Sequence, residues 1–331
     1  MTHNIIKSLL FSASLSKVYN DFVPYSHQVH RTFFTLALGA MLLASCEKVN
    51  EGNGNIDEPA QTETTGPFDA NGASKALFSV AANKQVRISR GNLQYQASTD
   101  SWRFAGRQYE VVGSANNHVS PSNEGWIDCF GWGTSGWESG ANACQPWAVS
   151  IDDADYQPGG SWQNGLTGDY ANADWGVYNA ISNGGNQAGM WRTLTNVEWA
   201  YLFGGGSRPS KWGRATIDGR YKGLILLPDE WTAPDGISFT PAHNGFNTNA
   251  YTMEQWECLE AAGAIFLPAA GFRQYTFFNY ENQYGVYWSV SPYGAEYPDY
   301  ALGLLFNDSM LYPSDGEGRS NGFSVRLVQD K

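Results

Sequence analysis

A break in texture near Ala76 sets the limits on how this chain can fold. All 13 tryptophans and most of the 18 tyrosines lie beyond it, set among numerous glycines. Rings of that size bury about 150–250 Å² each, so they demand a large core, an aromatic surface, or both. Residues 76–331 suffice for one such core, and no second linker divides them. Upstream, Glu51-Gly52-Asn53-Gly54-Asn55 and Gln61-Thr62-Glu63-Thr64-Thr65-Gly66 are polar, acidic and almost free of large apolar groups. Such a segment cannot bury enough surface to fold, and 46–75 is expected to be a flexible acidic linker.

The linker follows a short apolar run, Phe33 to Leu43, preceded by His30 and Arg31. That run is too short to cross about 30 Å of hydrocarbon as a helix but suits the apolar region of a signal peptide, placed at 29–45. Residues 1–28 add nothing a signal needs and are expected to be an extension ahead of a true start near Val29. Leu43-Ala44-Ser45-Cys46 resembles a lipobox, which implies cleavage before Cys46 and acylation of that cysteine. The expected address is then the outer membrane, by lipid anchor only, facing the cell exterior. Cleavage there removes Lys7, Lys17, Arg31 and Asp21, leaving 17 basic and 31 acidic side chains and a net charge of −14. That charge offers no footprint for nucleic acid.

Within the folded part, Ala76–Val80 and Gln85–Ser89 alternate apolar and polar residues around Ala82-Asn83-Lys84 and predict an opening hairpin. Asn92–Tyr95 and Trp102–Phe104 flank a Ser-Thr-Asp turn. The stretch Gly125 to Trp137 is rich in Trp and Gly and predicts irregular chain wrapped on a core. Thr195-Asn196-Val197-Glu198 and Thr252-Met253-Glu254-Gln255 read as capping boxes opening two helices. Trp199, Leu202 and Phe203 form the buried stripe of the first, and Met253, Trp256 and Leu259 that of the second, with Gly204 and Gly263 as stops. Two main helices among many short strands predict an α+β domain over 76–331.

Trp191-Arg192-Thr193-Leu194-Thr195-Asn196-Val197-Glu198-Trp199 resembles the helix start of the formylglycine-generating-enzyme-like (sulfatase-modifying-factor) branch of the C-type lectin fold. Phe266 to Arg273, Tyr287 to Ser291 and Gly322 to Val328 resemble its terminal strands in the same order. Gly91 to Gln96, Trp126-Ile127-Asp128 and Trp175 to Gly185 are similar to segments shared by paralogous surface lipoproteins of Gram-negative gut anaerobes. The resemblance covers roughly residues 78–328 and implies a single C-type-lectin-like domain.

Chemistry known for that fold is not expected here. The enzymes of this branch use cysteines near the C-terminal end, whereas no Cys follows Cys258, itself in a predicted helix. Iron-using relatives need clustered histidines, and His118 and His243 are far apart. Asp152 and Asp155, or Asp229 and Glu230, could serve a glycosidase, but spatial separation defines such pairs; Asp152-Asp153-Ala154-Asp155 could bind calcium but lacks the later Gly and Glu of a hand-type loop, and solvated loop acids are the simpler reading. Cys129 and Cys144 are a candidate bridge that would contribute about 3 kcal/mol. No enzyme activity, metal or cofactor is expected.

Tyrosine is concentrated in 271–322, at 275, 280, 284, 287, 293, 297, 300 and 312. Tyr with Ser, Gly and Asn supplies rigid contact area with adaptable hydrogen bonding, as in antibody paratopes. The composition also resembles retroelement-diversified variable proteins, which use this fold and present such residues on their last strands. Tyr284, Tyr293, Tyr297, Tyr300, Asn307 and Tyr312 match by order, and Tyr275 joins them as a turn residue. Trp288, Leu302, Leu304 and Phe306 are expected to pack strand faces. Pro292 and Gly294 are expected to force Ser291–Pro298 out of a ladder and turn Tyr293 and Tyr297 outward. The functional expectation is a non-enzymatic surface lipoprotein that binds an external glycan or protein, as in adhesion. The alternatives are a structural or accessory subunit of a surface filament and a carbohydrate-active enzyme.

Overall fold

The computed structural model describes residues 66–204, 208 and 211–331. The expected signal segment, the Cys46 anchor and most of the linker lie outside the described residues. The chain already belongs to the fold from Pro67, which corrects the linker boundary. Asp69 Oδ1 accepts from the amides of Asn71 and Ala73, Lys75 N donates to the Pro67 carbonyl, and Ala73 is fully buried. The polar Asp69-Ala70-Asn71-Gly72 run is a hydrogen-bonded turn, a local use of Asp that composition alone reads as solvated chain.

The fold is mixed α+β, with three α-helices and sixteen strands in five sheets among the described residues. The predicted hairpin forms as β1 (Phe78–Ala81) and β2 (Lys84–Ile88). β2 also pairs with the last strand, β16 (Leu327–Asp330), which in turn pairs with β6 (Arg192–Thr193). The two ends of the domain thus share one sheet. β3 (Leu93–Gln96) lies between β4 (Ser101–Phe104) and β5 (Trp126–Ile127). A third sheet runs in the order β10 (Ile265–Pro268), β8 (Tyr221–Leu226), β7 (Trp212–Ile217) and β9 (Asn249–Tyr251). β11 (Phe272–Gln274) pairs with β12 (Phe277–Asn279).

Both long helices start as predicted. In α2 (Asn196–Leu202) Thr195 Oγ1 accepts from Glu198 N while Glu198 Oε2 accepts from Thr195 N, and α3 (Met253–Ala261) repeats the box with Thr252 and Gln255. One further turn, α1 (Trp175–Tyr178), is capped by Asp174. Trp199 and Leu202 of α2 pack with Phe78, Leu224, Leu267, Leu304 and Phe306 in the main core. The opposite face of the β7–β8–β10 sheet, with Ala215, Ile225 and Phe266, packs on Trp256 and Leu259 of α3. Cover on both faces explains why β7 and β10 are buried at every position rather than alternating.

Irregular chain between Asp128 and Asp174 is held by buried polar groups. Arg319 is fully buried, stacked 4.4 Å from the Trp132 ring centroid, and donates to the carbonyls of Tyr300 and Trp162. Arg273 reaches the carbonyls of Tyr275 and Ala148, and Arg214 those of Asn307, His243 and Met310. A guanidinium carries five donors in a planar fork, so one buried arginine can clip two or three loops. Cys129 and Cys144 form no disulfide, so the candidate bridge is absent; Cys129 is buried and Cys144 Sγ donates to Glu138. No helix among the described residues is long and apolar enough to cross a membrane.

Candidate ligand-binding face

The tyrosine-rich region builds one three-stranded sheet, β13 (Gly285–Gly294), β14 (Tyr297–Phe306) and β15 (Leu311–Gly318). Its first two strands form a hairpin with two unequal halves. Val286 to Val290 and Ala301, Gly303 to Phe306 are buried, as expected for Trp288, Leu304 and Phe306, whereas Leu302 is half-buried. The outer half, Ser291 to Tyr300, emerges from the core. Ser291–Gly294 and Tyr297–Pro298 stay in the strands, contrary to expectation, and Ala295-Glu296 makes the turn between them. Pro292 pairs with Ala301 and Gly294 with Tyr297, with register shifts either side of Pro292. A bulge accommodates the missing proline donor without ending the strand.

At this tip Tyr293, Tyr297 and Tyr300 come together. The Tyr293 ring stands nearly perpendicular to both others, 5.1 Å from Tyr297 at 80° and 6.5 Å from Tyr300 at 89°. Tyr297 and Tyr300 lie 5.6 Å apart at 31°. Tyr293 and Tyr300 are exposed and Tyr297 is half-buried. Beneath the trio, Gly316 leaves the space that Tyr293 occupies: a Cβ there would lie 2.2 Å from the ring. The backbone is fixed from below where Arg319 Nε meets the Tyr300 carbonyl, 3.2 Å away, and from the side where Gln157 Nε2 donates to Asp299 at 3.2 Å.

The surroundings are acidic. Burial raises the phenols of Tyr293 and Tyr300; Tyr297, Glu296 and Asp315 add to it for the first, and Glu317, Asp153, Tyr297 and Asp299 for the second. Glu317 is half-buried, and that burial, with the like charge of Asp315, pushes its carboxyl up to about 8. Burial also raises Asp315, against a hydrogen bond from the Gly316 amide. The Glu317 carboxyl has no hydrogen-bond partner among the described residues. Asp153, by contrast, is tied to the Ser320 amide.

The other expected site residues are dispersed. Tyr275 is exposed in the β11–β12 turn, near Phe277, with its carbonyl on Arg273. Tyr284 packs against Tyr280 and Phe272. Asn307 holds the β14–β15 turn, its side chain accepting from the amides of Ser309 and Met310. Tyr312 is exposed on β15 but makes no ring contact among the described residues. Sequence reasoning missed Asp315, Glu317 and the upstream Gln157, and took Asp153 for a solvated loop acid. The alternation Asp315-Gly316-Glu317-Gly318 was the available signal, since glycine facing an aromatic strand leaves room for a ring.

Of the acids considered for catalysis, Glu230 is exposed and the others have structural partners. Asp229 accepts from Ser79, Gln85 and Arg208, Asp152 caps a single turn through Ala154 N, and Asp155 holds Ser150. His118 and His243 are exposed, and no group of three or more His, Cys, Asp or Glu among the described residues is placed to hold a metal. Comparison with protein-family models, curated proteins and solved structures finds no match.

Proposed function

We propose that this chain is a non-enzymatic, lipid-anchored protein of the outer cell surface that binds an external glycan or protein ligand through the β13–β14 tip. We read its domain as a C-type-lectin-like fold of the sulfatase-modifying-factor branch, on the motifs quoted above. The observation that carries the binding reading is the Tyr293–Tyr297–Tyr300 trio, presented on a hairpin whose inner half is core. Rings already held by one another and by their strands lose little freedom on binding, so their contact area converts efficiently into affinity.

A glycan and protein array probed with the full chain tests this against the Tyr293→Ala/Tyr297→Ala double variant. A ligand retained by the parent and lost by the variant, with unchanged circular dichroism, is the expected outcome; equal binding by both defeats the site. The anchor is tested separately by labelling with a palmitate analogue, which should disappear in Cys46→Ala. A second reading, carbohydrate hydrolysis, is favoured only by Asp315 and Glu317, where a protonated carboxyl adjoins a second acid. Glycan turnover abolished by Glu317→Gln would replace the binding reading.

A further inference from the structure

We propose that the domain carries a second binding site, a polar cleft that takes the carboxylate of a small acid, such as a sugar acid, on Arg90 and Arg107. None of its residues belongs to the tyrosine tip.

The cleft has a volume of about 250 Å³ and is lined by Phe68, Asp69, Arg90, Arg107, Gln108 and Glu260, among others. Two turns build it. Gly72, at φ +76°, lets the Arg90 stem pass: a Cβ there would lie 3.1 Å from Arg90 Cδ, while Arg90 N donates to the Gly72 carbonyl at 2.8 Å. At the other end of that stem, Arg90 Nη2 donates to the Gly106 carbonyl, 3.2 Å away. The guanidinium is thereby held on the residue that precedes Arg107, and both arginines face the same space.

Matching each charge around the cleft to its partner shows which ones are left over. Asp69 Oδ1 accepts from two amides of its own turn, and Oδ2 accepts from Arg87 Nη1 at 3.4 Å. Glu260 Oε1 accepts from Gln108 Nε2 at 2.9 Å, and Gln108 Oε1 accepts from Arg326 Nη2 at 3.0 Å. Arg326 is buried and enters no ion pair among the described residues, so Glu260 faces its charge through one amide. Arg90 and Arg107 enter none either. Glu110, which accepts from the Gly106 amide at 3.0 Å, offsets one of them. A single positive charge remains, on a chain whose net charge is −12. A monovalent carboxylate meets it, and the planar donors of a guanidinium suit its two oxygens. A cation is repelled by the free arginines, and a phosphate dianion brings excess negative charge toward Asp69 and Glu260. The volume lies just below the roughly 300–1,000 Å³ of ordinary ligand pockets, which limits the ligand to the size of about one sugar.

The test uses the full chain and D-glucuronate, followed by titration calorimetry. Glucuronate should bind, and D-glucose, the same ring without the carboxylate, should bind about tenfold or more weakly. Arg107 is exposed and makes no ion pair among the described residues, so Arg107→Gln should fold normally by circular dichroism. It should weaken glucuronate by a similar factor, whereas Lys331→Gln, which removes the same charge at the exposed C-terminus, should not. Absence of glucuronate binding, equal binding of glucose, or undiminished affinity in Arg107→Gln overturns the proposal. So does inorganic phosphate bound more tightly than glucuronate, which would define a site for a dianion. Glu58 and Glu63, just ahead of Gly66 at the cleft rim, are another source of carboxylate. Glucuronate binding that appears only in Glu58→Gln/Glu63→Gln would assign the cleft to those side chains and overturn the external ligand.

Discussion

Gly316→Ala isolates the placement of a single ring. The added methyl would lie 2.2 Å from Tyr293 Cδ2 and Cε2, so the ring must swing away. Gly316 does not have positive φ, so alanine fits its backbone without strain. The ring has solvent to move into, which limits the cost to the contacts it leaves. Those are two perpendicular pairs, with Tyr297 at 5.1 Å and Tyr300 at 6.5 Å, worth about 0.5–1.5 kcal/mol each. The loss should be about 1–2 kcal/mol, since Tyr293 is already 40% exposed. For a domain of this size that lowers Tm by roughly 3–6 °C. Ligand identified on the array should bind at least about fivefold more weakly, because one wall of the ring cluster is gone. Gly303→Ala is the contrasting control. There a Cβ meets the Tyr287 carbonyl oxygen at 2.6 Å, a backbone atom of a buried strand that cannot swing aside. It should be much more damaging, and scanning calorimetry compares the two. An unchanged Tm in Gly316→Ala, with the Tyr293–Tyr297 contact intact by crystallography, would refute the packing argument. So would a collapse as severe as that of Gly303→Ala.

Three further outcomes follow from buried polar groups. Asp128 and Asp174 are both 1% exposed, and burial pushes each up to about 6 despite several hydrogen bonds. Between about pH 4 and 6 the folded state keeps protons that the unfolded state loses, so stability should fall as pH rises, by up to about 3 kcal/mol for each acid. Glu198 and Asp330, held low by Arg192 and Lys84, act oppositely below about pH 4.5. Urea titrations should therefore show a stability maximum in mildly acidic solution, and a steady increase from pH 5 to 7.5 would contradict this. Thr195→Ala removes the acceptor of the Glu198 amide and should cost about 1 kcal/mol by denaturant titration, with no change in midpoint disproving the cap's contribution. Arg319→Met strips donors from the Tyr300 and Trp162 carbonyls and should cost about 3 kcal/mol or more while sensitising residues 293–300 to protease; a parental cleavage pattern would show that Arg319 does not fix the tip.

What was legible in the sequence was local. Both capping boxes, the β1–β2 hairpin and the β3–β4 hairpin depend on residues within about a dozen positions of one another, and each formed where expected. Tyrosine density marked the sheet whose outer end presents the ring trio, because a face that presents rings must encode them. It did not distinguish Tyr293 and Tyr300 in the exposed trio from Tyr284, which stacks among Tyr280 and Phe272. That distinction depends on strand register, and register changes at the bulges flanking Pro292. The places of Asp153 and Gln157 were illegible for another reason: they join this face from 167 and 142 residues upstream, through Ser320 and Asp299. Asn307 looked like a contact residue by composition, yet asparagine is equally suited to holding a turn, and here it does so.

The division along the β13–β14 hairpin ties these observations to function. Its inner half supplies Tyr287, Leu304 and Phe306 to the main core and Trp288 to the packing around Phe323, so it cannot vary without cost. Its outer half contributes no side chain to either hydrophobic cluster, and its backbone is held by strand pairing and by Arg319. Side chains at 293, 297 and 300 are therefore nearly decoupled from folding, while their positions remain fixed by it. A binding surface needs that combination: rigidity lowers the entropy lost on association, and decoupling lets ligand specificity change without unfolding the domain. Gly316 marks where the decoupling ends, because the one ring it accommodates depends on a backbone position in the neighbouring strand.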